Sequence, residues 1–166
     1  MSVMAQFDLV KPRYSRLDPR IAEFYAATEY VNGLAEAHPG FLWRETHDNQ
    51  VLLDELFGEG YLYTLSVWRS PTALKDFLYR TPHNDFRVRG AEWFLPIDEP
   101  RVVMWWVDDH HTPDLIEAKQ RLMQLRSVGP AADAFDLKSS HRWHISTDAE
   151  LSKGKMETSE HLMRRP

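Results

Sequence analysis

Three times in this chain a residue that caps helices is followed directly by proline, and each time a predicted strand comes before it. The pairs are Asp18-Pro19, Ser70-Pro71 and Thr112-Pro113. An N-cap side chain accepts a hydrogen bond from the first helical turn, and proline fits the first helical position because its missing N–H is not needed there. The pairs therefore predict three helix starts and fix the order of the elements between them.

Four segments have the apolar or alternating character of strands, namely residues 4–10, 40–46, 61–68 and 101–107. The first helix is expected to end at His38-Pro39-Gly40. Pro82 should break the second helix, with a further helical segment over 83–94, and the third helix should stop at Gly129-Pro130. The order β-α-β-β-α-β with an extra C-terminal helix is typical of the ferredoxin-like split βαβ fold. We therefore expect an α+β domain with a four-stranded antiparallel sheet and two helices on one face.

The fourth predicted strand, RVVMWWV over residues 101–107, is apolar on both faces. A sheet that carries helices on one face only would leave the other face of this strand uncovered. The simplest cover is a second copy of the chain packed sheet to sheet. The sequence therefore predicts a homodimer.

Charge, cysteine content and hydropathy limit the partners and the compartment. The formal net charge of −5 argues against nucleic acid, because such binders rely on attraction to phosphate. The chain has no cysteine, which removes disulfides, thiolate nucleophiles and cysteine metal sites and fits a reducing cytoplasm. The longest apolar run is far shorter than the ~20 residues of a membrane span, and no signal peptide is expected. We expect one domain over 1–137 and a polar, flexible tail over 138–166.

Several segments together resemble a bacterial family of unknown function in the dimeric α/β-barrel group. They are LSVWRSPTALKDFLYRTPHNDFRVRGAEWF (65–94), DPRIAEF (18–24), NGLAEAHPGFLWR (32–44) and VVMWWV (102–107). The wider group is similar to antibiotic biosynthesis monooxygenases and includes haem-degrading monooxygenases, polyketide cyclases and muconolactone-type isomerases. The resemblance implies a ferredoxin-like dimeric α/β barrel, and it does not imply one reaction because this fold hosts many chemistries.

Three residues are candidates for catalysis. His83 follows the Pro82 break, and it lies where the resemblance implies the axial His of haem-degrading members; it could act as an acid or base or stay structural. Asn32 lies on an apolar helix face, where it either polarises a ligand or holds a loop. Arg87, one helical turn after His83, could hold a carboxylate or enolate.

Aromatic residues make up 12% of the chain, which fits either a heavily aromatic core or a pocket for a hydrophobic ligand. The candidate substrate-binding residues are Trp43, Tyr79, Phe86, Trp93 and Trp106. No zinc motif, nucleophile elbow or phosphate loop is present, and the adjacent His110-His111 pair is a weak metal candidate. We expect no dedicated metal site.

Three functions stay open. The first is an enzyme of secondary metabolism that acts on a hydrophobic, aromatic or polyketide-like metabolite by cofactor-independent acid–base, oxygenation, cyclisation or isomerisation chemistry. The second is a haem-binding enzyme with His83 as the axial ligand. The third is a dimer that binds a ligand without catalysis.

Overall fold

The computed structural model of the protein describes residues 1–143. This part of the chain forms an α+β domain with one antiparallel sheet of five strands and six α-helices. The strands are β1 (Ser2–Pro12), β2 (Phe41–Arg44), β3 (Leu62–Trp68), β4 (Phe94–Leu95) and β5 (Val102–Asp108). The helices are α1 (Ala22–Glu36), α2 (Gln50–Phe57), α3 (Pro71–Arg80), α4 (His83–Val88), α5 (Gly90–Trp93) and α6 (Leu115–Val128).

The long strand β1 is the centre of the sheet. It pairs with β3 on one side and with β5 on the other, and β2 lies outside β3. The short β4 pairs with the end of β1, where Lys11 lies opposite Leu95. The strand order β2-β3-β1-β5 follows from one helical crossover between β1 and β2 and another between β3 and β5.

Both faces of the sheet are covered within the chain. Odd-numbered residues of β1, such as Phe7, pack with Leu53 of α2 and Leu122 of α6. Even-numbered residues, such as Met4, pack with Phe77 of α3 and with the segment around Phe135. The structure therefore differs from the expected open face, because α2 and α6 supply the cover that the sequence had assigned to a second copy.

Two of the three predicted helix starts have the expected geometry. Asp18 accepts from the backbone N–H of Arg20 at 2.9 Å and precedes a 3-10 turn that leads into α1. Ser70 accepts from the N–H of Ala73 at 3.2 Å and begins α3. The third start is displaced, since Asp114 caps α6 in place of the predicted Thr112. The carboxylate of Asp114 reaches the free N–H of the first turn, so the helix begins after the proline.

The predicted single helix over 83–94 is divided. It forms α4, then α5, and then the two residues of β4. The division lets Phe94 pair with Pro12 of β1, while the N–H of Arg13 donates to the carbonyl of Trp93 at 2.8 Å. This arrangement brings α5 and the end of β1 together, and a groove lies between them.

Residues 138–143 remain packed on the domain. Ser139 and Ser140 are buried, and the indole N–H of Trp106 donates to the carbonyl of Trp143 at 2.9 Å. The rest of the predicted tail, residues 144–166, lies outside the described residues. Within residues 1–143 no helix has both the length and the apolar character needed to span a membrane.

Candidate functional site

A groove of about 290 Å³ lies where the end of β1 meets α4, α5 and β4. We call it the arginine groove, because three arginine side chains line it: Arg13, Arg87 and Arg101. Its apolar walls come from Val10, Phe94, Leu95 and Pro96. A cavity that combines apolar walls with a few convergent charged groups is the usual form of a small-molecule site.

Two of the three guanidiniums are held in place by uncharged hydrogen-bond acceptors, so no carboxylate of a described residue pairs with their positive charge. Arg13 donates from Nε to the carbonyl of Ala91 at 2.9 Å, and Arg87 donates from Nε to Oδ1 of Asn84 at 3.0 Å. Arg87 also lies over the ring of Tyr79, with its guanidinium carbon 4.8 Å from the ring centroid. Neither guanidinium forms an ion pair with another residue of the described chain. Their remaining N–H groups can therefore serve an anion, which a planar guanidinium binds in a bidentate manner.

The third arginine, Arg101, is hydrogen-bonded to the carboxyl group of Asp8, whose pKa is shifted. Arg101 donates from Nη1 to Oδ1 of Asp8, which projects from β1 on the same face as Val10. Burial raises the pKa of Asp8 from 3.8 to about 6, and the charge and hydrogen bond of Arg101 oppose that rise. A carboxyl with this pKa exchanges protons close to neutral pH, which ordinary carboxyls do not.

Solvent reaches this end of the sheet. Asp8 lies opposite Thr64 of β3 and Val102 of β5. Thr64 is exposed although its neighbours Leu65 and Ser66 are buried. The helices therefore leave the sheet partly open beside Asp8, and the carboxyl is connected to the arginine groove through Arg101, which lines it.

Farther along the same face, three side chains form a chain of hydrogen bonds. The indole N–H of Trp68 donates to Oγ of Ser66 at 2.9 Å, and that hydroxyl donates to Oε1 of Gln6 at 2.8 Å. Gln6, Ser66 and Trp68 are all buried. These hydrogen bonds satisfy the indole of Trp68 and the hydroxyl of Ser66, while Nε2 of Gln6 makes none with another described residue.

His83 contributes to the helix side of this region without lining the groove. Its ring packs on Phe77 at a centroid distance of 4.8 Å, and Nδ1 lies 3.3 Å from the carbonyl of Leu78. Burial lowers the pKa of His83, the Leu78 carbonyl raises it, and the charge of Arg87 lowers it further. Of the three predicted catalytic residues, the groove takes in Arg87 alone.

The other predicted site residues are spread over the domain. Asn32 is half-buried on α1, and no hydrogen bond joins its side chain to another described residue. Trp93 is 2% exposed and packs between Phe24 and Phe86, so it is part of the core. Tyr79 is exposed and contacts Arg87. Trp106 is half-buried beside Phe135 on the far part of the sheet.

Trp43 belongs to a separate cavity of about 410 Å³ at the other face of the sheet. We call it the tryptophan cavity. Its walls include Val3 and Val67, and its polar groups include Arg69 and His111. Nearby, Asp108, Asp109 and His110 cluster at the exposed end of β5, with no buried polar group that would mark the cluster as a metal site.

The arrangement around His83 does not fit a haem. His83 lines neither the arginine groove nor the tryptophan cavity. Its Nδ1 faces the Leu78 carbonyl and one side of its ring is covered by Phe77. The contact of Nδ1 with a carbonyl leaves Nε2 free, as in an axial ligand, so the misfit rests on the position of His83 outside both cavities.

Sequence analysis missed Asp8, Arg13 and Arg101. One signal was present, because Gln6 and Asp8 place two polar side chains on the same face of an otherwise apolar strand. No local pattern pairs Asp8 with Arg101, since the two residues are 93 positions apart. Their contact depends on the register between β1 and β5.

Comparisons with known proteins identify the family of this chain but assign no activity to it. A family model described as DUF3291, a domain of unknown function, matches residues 3–150. A solved structure of Rv0793 from Mycobacterium tuberculosis is similar at 15% identity and a TM-score of 0.45, covering 69% of this chain and all of that one. No curated protein matches the chain.

Proposed function

Because the chain belongs to the DUF3291 family, a domain of unknown function, we propose its activity from the arginine groove. We propose that the protein is an enzyme that acts on a small hydrophobic molecule carrying a carboxylate, by acid–base chemistry without a bound cofactor. The observation that carries the proposal is the meeting of the two unneutralised guanidiniums of Arg13 and Arg87 with the Asp8–Arg101 pair.

The two ends of such a molecule would bind to different parts of the arginine groove. The carboxylate would bind to Arg13 and Arg87, which have N–H groups left over from their own positioning contacts. The apolar body would lie on Phe94 and Leu95. A volume of about 290 Å³ is at the small end of ligand sites, which favours a compact substrate.

Asp8 would supply the proton transfer. With a pKa of about 6, its carboxylate is a stronger base than an ordinary Asp and is mostly ionised at pH 7. It would take a proton from a carbon next to a carbonyl group, and the resulting enolate oxygen would be stabilised by the guanidinium of Arg101. His83, proposed from the sequence as the acid or base, has the weaker geometric support, because its hydrogen bonds go to Thr81 and Leu78, whereas Asp8 is bonded to Arg101, which lines the groove.

Proton exchange in D2O tests this function without knowledge of the product. A panel of hydrophobic 2-oxo carboxylates, beginning with phenylpyruvate, is incubated with the protein, and loss of the proton next to the carbonyl is followed by NMR. We expect exchange above the buffer rate, a fall of ~100-fold in Asp8→Asn, and no change in Arg80→Gln. Arg80 is a matched control because it is an exposed arginine that lines neither cavity.

Three results would change the proposal. Binding of the panel without exchange would favour a ligand-binding protein that is not an enzyme. Exchange that persists in Asp8→Asn and is lost in His83→Gln would return the role of acid or base to His83. A Soret band in the purified protein would favour the haem-binding alternative.

The ferredoxin-like architecture, the homodimer and the cellular role are also proposals. The strand order β2-β3-β1-β5 supports a ferredoxin-like fold of the kind found in monooxygenases of antibiotic biosynthesis. A homodimer is proposed on the apolar strand over 101–107 and on the resemblance, a cytoplasmic location on the lack of cysteine, and a role in secondary metabolism on the resemblance. A sheet-to-sheet dimer would require α2 and α6 to leave the face that they cover, so light scattering that gives a 19.5 kDa particle would fit the covered sheet.

A further inference from the structure

The tryptophan cavity contains a histidine that a carboxylate connects to a buried tryptophan of the core. His111 lies between β5 and α6, and its Nε2 is 2.6 Å from Oε2 of Glu117. The other carboxylate oxygen, Oε1, accepts from the indole N–H of Trp105 at 2.8 Å. Trp105 has no exposed surface. The core therefore holds the carboxylate, and the carboxylate holds the imidazole.

The backbone of Glu117 is fixed too. Its N–H donates to Oδ1 of the N-cap Asp114 at 2.8 Å, in the first turn of α6. Arg121, one turn later, lies 4.0 Å from the same carboxylate. Glu117 is therefore anchored through its backbone and both carboxylate oxygens. A surface glutamate that meets a histidine by chance lacks such anchoring.

The hydrogen bond to Glu117 determines which ring nitrogen of His111 is free to accept a proton. An ionised carboxylate only accepts hydrogen bonds, so the proton of the neutral imidazole stays on Nε2. Nδ1 is then the basic nitrogen, and it makes no hydrogen bond with another described residue. His111 is half-exposed and lines the tryptophan cavity. This is the arrangement of a base that is oriented by a third group.

The rest of the cavity indicates the ligand. Trp43, Leu42 and Pro113 form an apolar wall suited to a flat ring. Arg69, held by a hydrogen bond from Nε to the carbonyl of Pro39 at 3.3 Å, adds a positive charge. The carboxylate of Asp109 also lines the cavity, but it pairs with the N-terminal amine at 3.3 Å.

We propose that the tryptophan cavity is a second site, which binds a phenolic ring against Trp43 with the hydroxyl on Nδ1 of His111. A carboxylic acid is already ionised at neutral pH and needs no base, whereas a phenol keeps its proton until a base removes it. The proton passes from the hydroxyl oxygen to Nδ1, which leaves a phenolate beside Arg69 and an imidazolium beside Glu117. His111 is the proton acceptor of this site and Glu117 its positioning residue.

4-Nitrophenol tests the site directly, because its ionised form absorbs visible light. The full chain is titrated with the probe at a fixed pH below neutrality, and the affinity and the ionised fraction of bound probe are measured together. We expect saturable binding and a larger ionised fraction than in buffer. His111→Gln should weaken binding about tenfold or more and remove the excess ionisation.

Three further variants test separately whether His111 is the base, whether Glu117 positions it, and whether the probe binds in the tryptophan cavity. Glu117→Gln should reduce the excess ionisation while the probe still binds, which a purely structural role would not do. His110→Gln, which alters the neighbouring and more exposed histidine, should behave as the unmodified protein. Arg87→Gln, in the arginine groove, should also leave the titration unchanged, so that this site and the proposed function can fail separately.

The proposal is overturned by any of three results. The first is a titration of the unmodified protein to millimolar probe without saturation or excess ionisation. The second is an equal loss of binding in His111→Gln and His110→Gln, and the third is a loss of binding in Arg87→Gln. Because Glu117→Gln also alters a contact with the core, its thermal unfolding is compared first. If that variant unfolds, the comparison of His111→Gln with His110→Gln alone decides the proposal.

Discussion

Arg101 donates a hydrogen bond to Asp8 across the sheet, joining the residue before β5 to the middle of β1. The pair connects the arginine groove, which Arg101 lines, to the one carboxyl of the site whose pKa is raised to about 6. Burial disfavours the charge of Asp8 while Arg101 favours it, and burial has the larger effect. A charge that burial destabilises beside the arginine groove does not stabilise the fold, and groups of this kind are frequent at functional sites.

The first prediction concerns the free-energy cost of ionising Asp8 in the folded protein. Since the pKa of Asp8 in the folded protein lies above its ordinary 3.8, folding becomes less favourable as the pH rises from about 4 to about 6, and the full cost remains above that range. Asp8→Asn should therefore raise the free energy of unfolding at pH 7 by about 1–3 kcal/mol and change it little at pH 4. Thermal unfolding at the two pH values measures the difference.

Asp98→Asn is the control for that experiment, because Asp98 is an exposed carboxylate in the loop between β4 and β5. It should shift the melting temperature equally at both pH values. A stabilisation by Asp8→Asn that is larger at pH 4 than at pH 7 would show that the carboxylate is favoured in the folded protein, contrary to our account.

A glycine sets the approach of β2 to α3. A Cβ added at Gly40 would lie 2.3 Å from Cβ of Ala73, so Gly40→Ala must push the two elements apart. We expect it to cost about 1–3 kcal/mol in the free energy of unfolding. Gly33→Ala in α1 is the matched control, since no atom lies within 4 Å of the added Cβ and alanine favours the helix by about 0.5–1 kcal/mol. Denaturant unfolding of both variants should give opposite signs; equal signs would refute the argument.

Arg89 joins α5 to α1 through two carboxylates. Its Nη1 and Nη2 donate to Glu23 at 2.6 and 2.7 Å, and its Nε and Nη2 donate to Glu92 at 3.0 and 2.9 Å. Lysine cannot reproduce this forked geometry. Arg89→Lys should lower the melting temperature by about 1–4 °C in dilute buffer and by less in 1 M salt, because the groups are exposed and salt screens them. A loss that does not depend on salt would contradict the ion-pair explanation.

The domain boundary predicted from the sequence can be tested by two truncations. A chain that ends at residue 137 loses the buried Ser139 and Ser140 and the contact between Trp106 and Trp143. We expect its melting temperature to fall by roughly 5–10 °C. A chain that ends at residue 143 keeps these contacts and should melt close to the full chain. Equal melting of the two truncated chains would support the boundary at 137.

Much of the fold could be predicted because local signals agreed with the final packing. The caps at Asp18 and Ser70 and the aromatic run of β3 are local features, and all three appear as expected. Helix α2 was missed because its eight residues follow a polar stretch and depend on packing, with Leu53 fully buried in the core. The omission of α2, together with the unassigned position of the predicted C-terminal helix α6, left a sheet face empty in the sequence-based prediction, which a dimer would cover.

The candidate site could be predicted only in part, for a related reason. Arg87 stood out because it follows His83 by one turn on a segment with a clear pattern. Asp8 and Arg101 meet only through the register of β1 with β5, and the pKa of Asp8 depends on burial that no sequence window contains. The role of the Trp105–Glu117 contact is likewise invisible until α6 packs on β5.

The central claim is that the arginine groove binds a hydrophobic carboxylate, and amide NMR of the labelled protein tests it most directly. We predict that 4-phenylbutyrate shifts the amide signals of Gly90, Ala91 and Leu95, and that the neutral 4-phenylbutyramide does not. Arg87→Gln should weaken binding about tenfold, and Arg80→Gln should leave it unchanged. Equal shifts from acid and amide, or equal losses in the two variants, would contradict the account.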